Sequence, residues 1–282
     1  TSTGEDKWTK TLSYKLSADK YLAQEATCSP NNTETSYTMA LGDVYYSDGD
    51  MSHQSESLIS GKTPIGIVGY IGSNYWTEKN TKANGIGGHA LVMCLKTIGS
   101  TGTTNRGSDY PWKTSNTDDN RSKVNTSALI VGSSTQSYGS GYTESVALSK
   151  DNAHPAAQAA LSYTTLKAPP TSTGWFLPTA GQYYAIMNAI GGYPSSGWYI
   201  TQFISSMTMV TSKVNTALSK VGANNYTEFF QAVNTSEWTS TRFSDTYAID
   251  IDSGVDDGKG PGSVRFDNNT LNGRSVRPFL AF

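Results

Sequence analysis

Four carboxylates crowd one short stretch near the C-terminus, Asp250-Ile251-Asp252-Ser253-Gly254-Val255-Asp256-Asp257-Gly258, and oxygen donors in such a cluster are what a hard cation such as calcium selects. Counted from Asp250, the fifth and sixth positions are Gly254 and Val255, where an EF-hand loop requires Asp or Asn and then Gly. The stretch therefore reads as a solvated acidic loop, and no metal is assigned to it. The same segment alternates: Tyr247, Ile249 and Ile251 fall on one face of a strand, and Ala248, Asp250 and Asp252 on the other. The apolar face belongs to a core. That leaves Asp250, Asp252 and the preceding Arg242 expected outward, either as plain charged surface or as contacts to a ligand.

Catalytic constellations are missing from the sequence. There is neither a G-x-S-x-G elbow nor a G-x-x-x-x-G-K-[ST] phosphate loop. His53, His89 and His154 have no local metal-ligand spacing and read as structural or incidental. Cys28 and Cys94 are too few for a disulfide framework and lack the paired spacing of a zinc site. They could join in an oxidising compartment; equally, Cys94 within Ala90-Leu91-Val92-Met93-Cys94-Leu95 could be an inert buried thiol. No cofactor is indicated, and the chain is read as a non-enzyme.

The elements that would position these residues are of mixed type. Residues 1 to 40 are polar, with Trp8, Leu12, Tyr14 and Leu16 alternating enough for one strand, and are read as an N-terminal extension, linker or docking strand. From residue 41 the texture changes. Strands are expected at Gly42 to Tyr46 before an Asp-Gly turn, at Pro64 to Ile71 and at His89 to Leu95. Residues 99 to 150 show almost no periodicity and are read as an inserted loop region or packed irregular excursion. A helix is expected from an Asp151 or Asn152 cap through Pro155 to Tyr163. A second opens at Leu177-Pro178-Thr179 and stops at Gly191-Gly192, and a third runs from Phe203 to Val221 with a core-facing stripe of Ile204, Met207, Val210, Val214 and Leu218. Strands, then helices, then strands imply an α+β domain of small antiparallel sheets flanked by two or three helices, with long irregular loops, over residues 41 to 282.

Composition excludes some partners. Lys and Arg number 21 against 23 Asp and Glu, so no electrostatic attraction draws the chain to nucleic acid or an anionic membrane. No apolar run spans a bilayer. Only 16% of residues are charged, while Gly, Ser, Thr, Asn and Tyr are abundant, a balance of extracellular loop-rich proteins. The start at Thr1 without an initiator Met reads as a processed or trimmed product, with a lipid anchor before processing as one route to the cell surface. The 17 tyrosines and 6 tryptophans suit a contact surface, although filling strands accounts for most of them equally well.

Taken in order, Gly42-Asp43-Val44-Tyr45-Tyr46-Ser47-Asp48-Gly49, Pro64-Ile65-Gly66-Ile67-Val68, Gly88-His89-Ala90-Leu91-Val92, Gly174-Trp175-Phe176-Leu177-Pro178-Thr179-Ala180-Gly181-Gln182, Trp238-Thr239-Ser240-Thr241 and Val276-Arg277-Pro278-Phe279-Leu280-Ala281-Phe282 resemble the bacterial C-type-lectin-like module. That module is related to the formylglycine-generating-enzyme fold and to the variable receptor-binding proteins of diversity-generating retroelements. The resemblance implies a last strand that returns beside an early one. It implies a frame of Trp238, Ser240, Ile249, Ile251, Val276, Arg277 and Pro278, and a ligand-binding display of Arg242, Phe243, Asp245, Asp250, Asp252, Arg265, Asp267, Asn268, Asn269 and Asn272. The sequence departs from the commoner pattern in its long stretch from Ser253 to Gly262. It lacks the C-terminal cysteine pair of the enzymatic branch and the Glu-Pro-Asn, Gln-Pro-Asp and Trp-Asn-Asp calcium motifs of animal lectins. The leading expectation is a secreted or surface-displayed bacterial adhesin, binding a protein or glycan on a host or neighbouring cell and open to retroelement-type diversification. The alternatives are a structural or tip subunit of a surface fibre, joined to its neighbour or a surface anchor through residues 1 to 40 by strand addition, and a phage receptor-binding tip.

Overall fold

A computed structural model describes residues 10–16, 20–26, 37–72, 90–99, 109–115, 140–150, 152–192, 207–229, 236–242, 248–252, 264–267 and 273–282. The chain divides into two compact units, Thr1–Thr38 and Met39–Phe282. In the first, β1 (Lys10–Leu16) and β2 (Lys20–Ala26) form an antiparallel hairpin. The alternation of Leu12, Tyr14 and Leu16 marked β1; β2 is additional to the one strand expected there. Tyr14 lies opposite Leu22 and Leu12 opposite Gln24, so Leu12, Tyr14, Leu16 and Leu22 share one face of the hairpin.

The second unit is built on a five-stranded antiparallel sheet. In chain order its strands are β3 (Val44–Tyr46), β4 (Met51–Ser52), β5 (Pro64–Ile71), β6 (Ala90–Cys94) and β12 (Phe279–Ala281), and in space they run β12-β6-β5-β3-β4. The last strand thus returns beside an early one, with Phe279 opposite Met93 and Ala281 opposite Leu91. Val44, Tyr46, Ile67, Leu91 and Met93 face one core, and Tyr45, Ile65, Val68, Val92, Cys94 and Leu280 face another. Burial on both faces is why these strands read as near-continuous apolar runs.

Helix α3 (Ala180–Ala189) covers the first core. Its start is a capping box: Thr179 Oγ1 accepts from the Gln182 amide at 3.0 Å, and Gln182 Oε1 accepts from the Thr179 amide at 2.9 Å. Gly69 of β5 lets this helix approach, since a Cβ there would lie 2.6 Å from Ile186 Cδ1. Beside it, α4 (Met207–Ser219) buries Val210, Val214 and Leu218 of the stripe expected to face a core; Phe203 and Ile204, where that helix was expected to begin, lie outside the described residues. Gly222, at φ 90°, follows its end.

Two shorter helices lie over a further core of Trp112, Leu148, Ala156, Ala160, Leu177, Trp238, Ala248 and Val276. They are α1 (Gly141–Leu148) and α2 (Pro155–Leu161). The described residues therefore hold four helices where two or three were expected. α1 falls in the stretch read as loop, because its buried face is Gly141, Glu144, Ser145 and Leu148: the period is helical but only one of the four positions is apolar. The N-cap of α2 is His154, not Asp151 or Asn152, with Pro155 in the first turn as expected. β7 (Tyr110–Pro111), in the same stretch, pairs with β11 (Gly273–Arg274).

The C-terminal segment forms a three-stranded antiparallel meander of β8 (Ser236–Arg242), β9 (Ala248–Asp252) and β10 (Val264–Asp267), with β9 in the middle. The architecture is α+β, with small antiparallel sheets. Among the described residues no helix is long and apolar enough to cross a membrane.

Candidate functional site

The central strand β9 decides how the expected binding residues can act. Ile249 and Ile251 enter the core beneath α3, as their alternation required. Its other face is not open. Ala248 packs in the core with Trp112 and Trp238, and Asp250 is fully buried. The outward placement of Asp250 is therefore corrected: a second layer of helices and loops covers the face that alternation alone left to solvent.

Burying a carboxylate is costly unless a partner meets it. Arg274 Nε donates to Asp250 Oδ2 at 3.1 Å, Arg274 Nη1 donates to the Gly273 carbonyl at 2.9 Å, and the guanidinium sits 5.9 Å from the Trp238 ring centroid. Trp238, opposite Asp250 across β8 and β9, donates its indole N–H to the Tyr110 carbonyl at 2.8 Å. Trp112 donates to the Thr239 carbonyl at 2.9 Å. The β7–β11 pair is thereby tied to the meander through side chains, and an isolated bridge joins Glu237 to Ser275 just after β11.

The outer edge of β8 is held in the same manner. The Ser240 amide donates to the Pro178 carbonyl at 2.8 Å, the Ala180 amide donates to Thr241 Oγ1 at 3.0 Å, and Ser240 Oγ donates to Glu144 Oε2 at 2.5 Å. Ser145 Oγ both donates to the Leu177 carbonyl and accepts from the Leu177 amide. The polar face of α1 is thus a set of connectors between the α3 entrance and β8.

Glu237 and Arg277 form the other buried ion pair of this region. Arg277 Nε lies 3.0 and 3.2 Å from the two Glu237 oxygens, Nη1 donates to the Cys94 carbonyl, and Nη2 donates to the carbonyls of Thr227 and Glu228. Tyr183 donates its hydroxyl to Glu237 Oε2 at 2.7 Å. Burial, and then the Glu237 charge, hold this phenol well above its ordinary range, so it stays a donor. One arginine therefore fastens β6, the loop before Phe229, β8 and the entry to β12.

The expected display residues fall into three groups. Asp250 is scaffold. Arg242, half-buried at the end of β8, stands in register with Ala248, which in turn is opposite Asp267 of β10, while Arg265 is opposite Asp250 and Asp252 opposite Ser236. Phe243, Asp245, Asn268, Asn269 and Asn272 lie outside the described residues, as do Asp256 and Asp257 of the acidic loop. The frame residues Trp238, Ser240, Ile249, Ile251, Val276, Arg277 and Pro278 are all buried. Sequence reasoning missed Arg274, Glu237 and Glu144 as scaffold groups. The available signal was a charged residue beside Trp238 or Val276 in an otherwise apolar or hydroxyl-bearing strand, where charge is rarely accommodated without a partner.

Among the described residues no group of three or more His, Cys, Asp or Glu is placed to hold a metal ion. His53 Nδ1 lies 3.0 Å from Asp43 Oδ1, and His154 meets Trp112 edge-on. Cys94 is a free, buried thiol pushed up to about 12 by burial, in keeping with the inert reading.

No family model matches the chain, and no curated protein matches it. Among solved structures, a fimbrial protein from Bacteroides ovatus is similar, with a TM-score of 0.56 and 20% identity over 86% of this chain and 49% of that one. This chain spans about half the length of that protein, and the likeness is one of fold.

Proposed function

We propose that this chain is a structural or tip component of a bacterial surface fibre. The observation that carries the reading is the fold shared with the Bacteroides ovatus fimbrial protein over 86% of this chain. The interior of the second unit agrees with a load-bearing module: buried ion pairs and charge-assisted hydrogen bonds link its sheets and helices across long sequence separations. The N-terminal hairpin of β1 and β2 supplies the joint to a neighbouring subunit or anchor by strand addition. The module acts by assembly and contact, without catalysis.

Fibres sheared from the bacterium that makes this chain, and labelled with antibody against residues 39 to 282, test the reading. Label along the fibres or at their ends is expected. Label confined to soluble material or to cell envelopes without fibres would overturn it. Removing residues 1 to 38 should abolish incorporation; unaltered incorporation would sink the role given to the hairpin.

A C-type-lectin-like recognition surface at the fibre tip is a second reading, favoured by the return of β12 beside β6 and by the burial of every residue assigned to the frame. Recognition of a host or neighbouring-cell protein or glycan would then fall to Arg242, Asp252, Arg265 and Asp267 at the strand positions, with Phe243, Asp245, Asn268, Asn269 and Asn272 between the strands. Their combined replacement by Ala, with an unchanged melt, should abolish binding on an array of glycans and cell-surface proteins. Retention of binding would exclude this location.

A further inference from the structure

We draw no further inference here: the strongest candidate, the face of the β1–β2 hairpin shared by Leu12, Tyr14, Leu16 and Leu22, carries nothing beyond the fibre joint already proposed, because nothing in the structure shows which surface covers it.

Discussion

Replacing Asp250 by Ala separates a scaffold residue from a ligand contact. The carboxylate is fully buried and Arg274 is 11% exposed, so removing Asp250 takes from a guanidinium with little access to water the carboxylate to which its Nε donates. Breaking a buried ion pair from one side costs about 3 to 5 kcal/mol. The partial exposure of Arg274 lets it recover some hydration, which lowers the expected loss to about 2 to 4 kcal/mol. For a domain of this size each kcal/mol moves the midpoint by roughly 2 to 4 °C, so the melting temperature should fall by roughly 5 to 15 °C. Thermal melting followed by circular dichroism, together with urea unfolding, measures it. The double variant Asp250→Ala with Arg274→Ala should lose less than the sum of the singles, with a coupling of about 1 kcal/mol or more, since it removes both charges of the pair together. A single variant melting within about 1 °C of the parent, as an exposed site would, together with strict additivity, would refute the scaffold assignment and return Asp250 to the display.

The other predictions follow from the same interior. Arg277→Met should destabilise by about 3 to 5 kcal/mol, because Glu237 is left buried with the Tyr183 hydroxyl and three carbonyls lose a donor; urea midpoints of this variant beside Glu237→Gln check it, and parent-like values would remove the pair from the scaffold. Thr179→Ala should cost about 1 kcal/mol through loss of the cap on α3, read from the same curves. Stability should fall at alkaline pH: the folded value of Cys94 is raised to about 12, so its contribution is fully present below the ordinary thiol range and is lost as pH rises from that range through the folded value. Above about 9 the slope approaches 1.4 kcal/mol per pH unit for this group, and Tyr183, also raised, adds to it above about 10. Unfolding curves at pH 7 to 10.5 for the parent and Cys94→Ala measure this, and a variant as sensitive as the parent between pH 9 and 10 would reject the assignment to Cys94.

Legibility in the sequence followed the source of each element's stability. β5 and β6 were readable as near-continuous apolar runs, since both their faces are buried, and α4 because its apolar side chains recur at helical spacing. α3 was readable from its boundaries as well, Thr179 and Gln182 at the front and Gly192 behind. α1 was not, since a hydrogen bond accepted by Glu144 from Ser240 and the bonds of Ser145 with Leu177 hold it where an apolar stripe would ordinarily do so. Asp250 failed for a related reason. Alternation reports that successive residues point to opposite faces, and says nothing of whether a second layer will cover the polar one. That layer comes from Trp112 and α1, encoded more than a hundred residues upstream in the stretch with the least periodicity, and from α2, which follows that stretch. Its buried members are mainly small residues and single tryptophans.

The two-sided burial of β8 and β9 constrains how this end of the molecule can vary. Positions 236 to 241 and 248 to 251 lie wholly within the interior, so a substitution there reaches stability before it can reach a partner. Arg242, half-buried at the end of β8, is the position beside these strands where a change of side chain meets the surface first. The Asp250–Arg274 and Glu237–Arg277 pairs hold this interior together. Each fixes a strand by directional, charge-assisted bonds that depend little on the identity of neighbouring surface residues. A library randomised at half-buried Arg242 should therefore keep most of its members folded, whereas one randomised at Trp238, Asp250 and Arg277 should yield mainly unfolded chains. Equal survival of the two libraries in a protease-resistance screen would show that the buried pairs do not carry the frame.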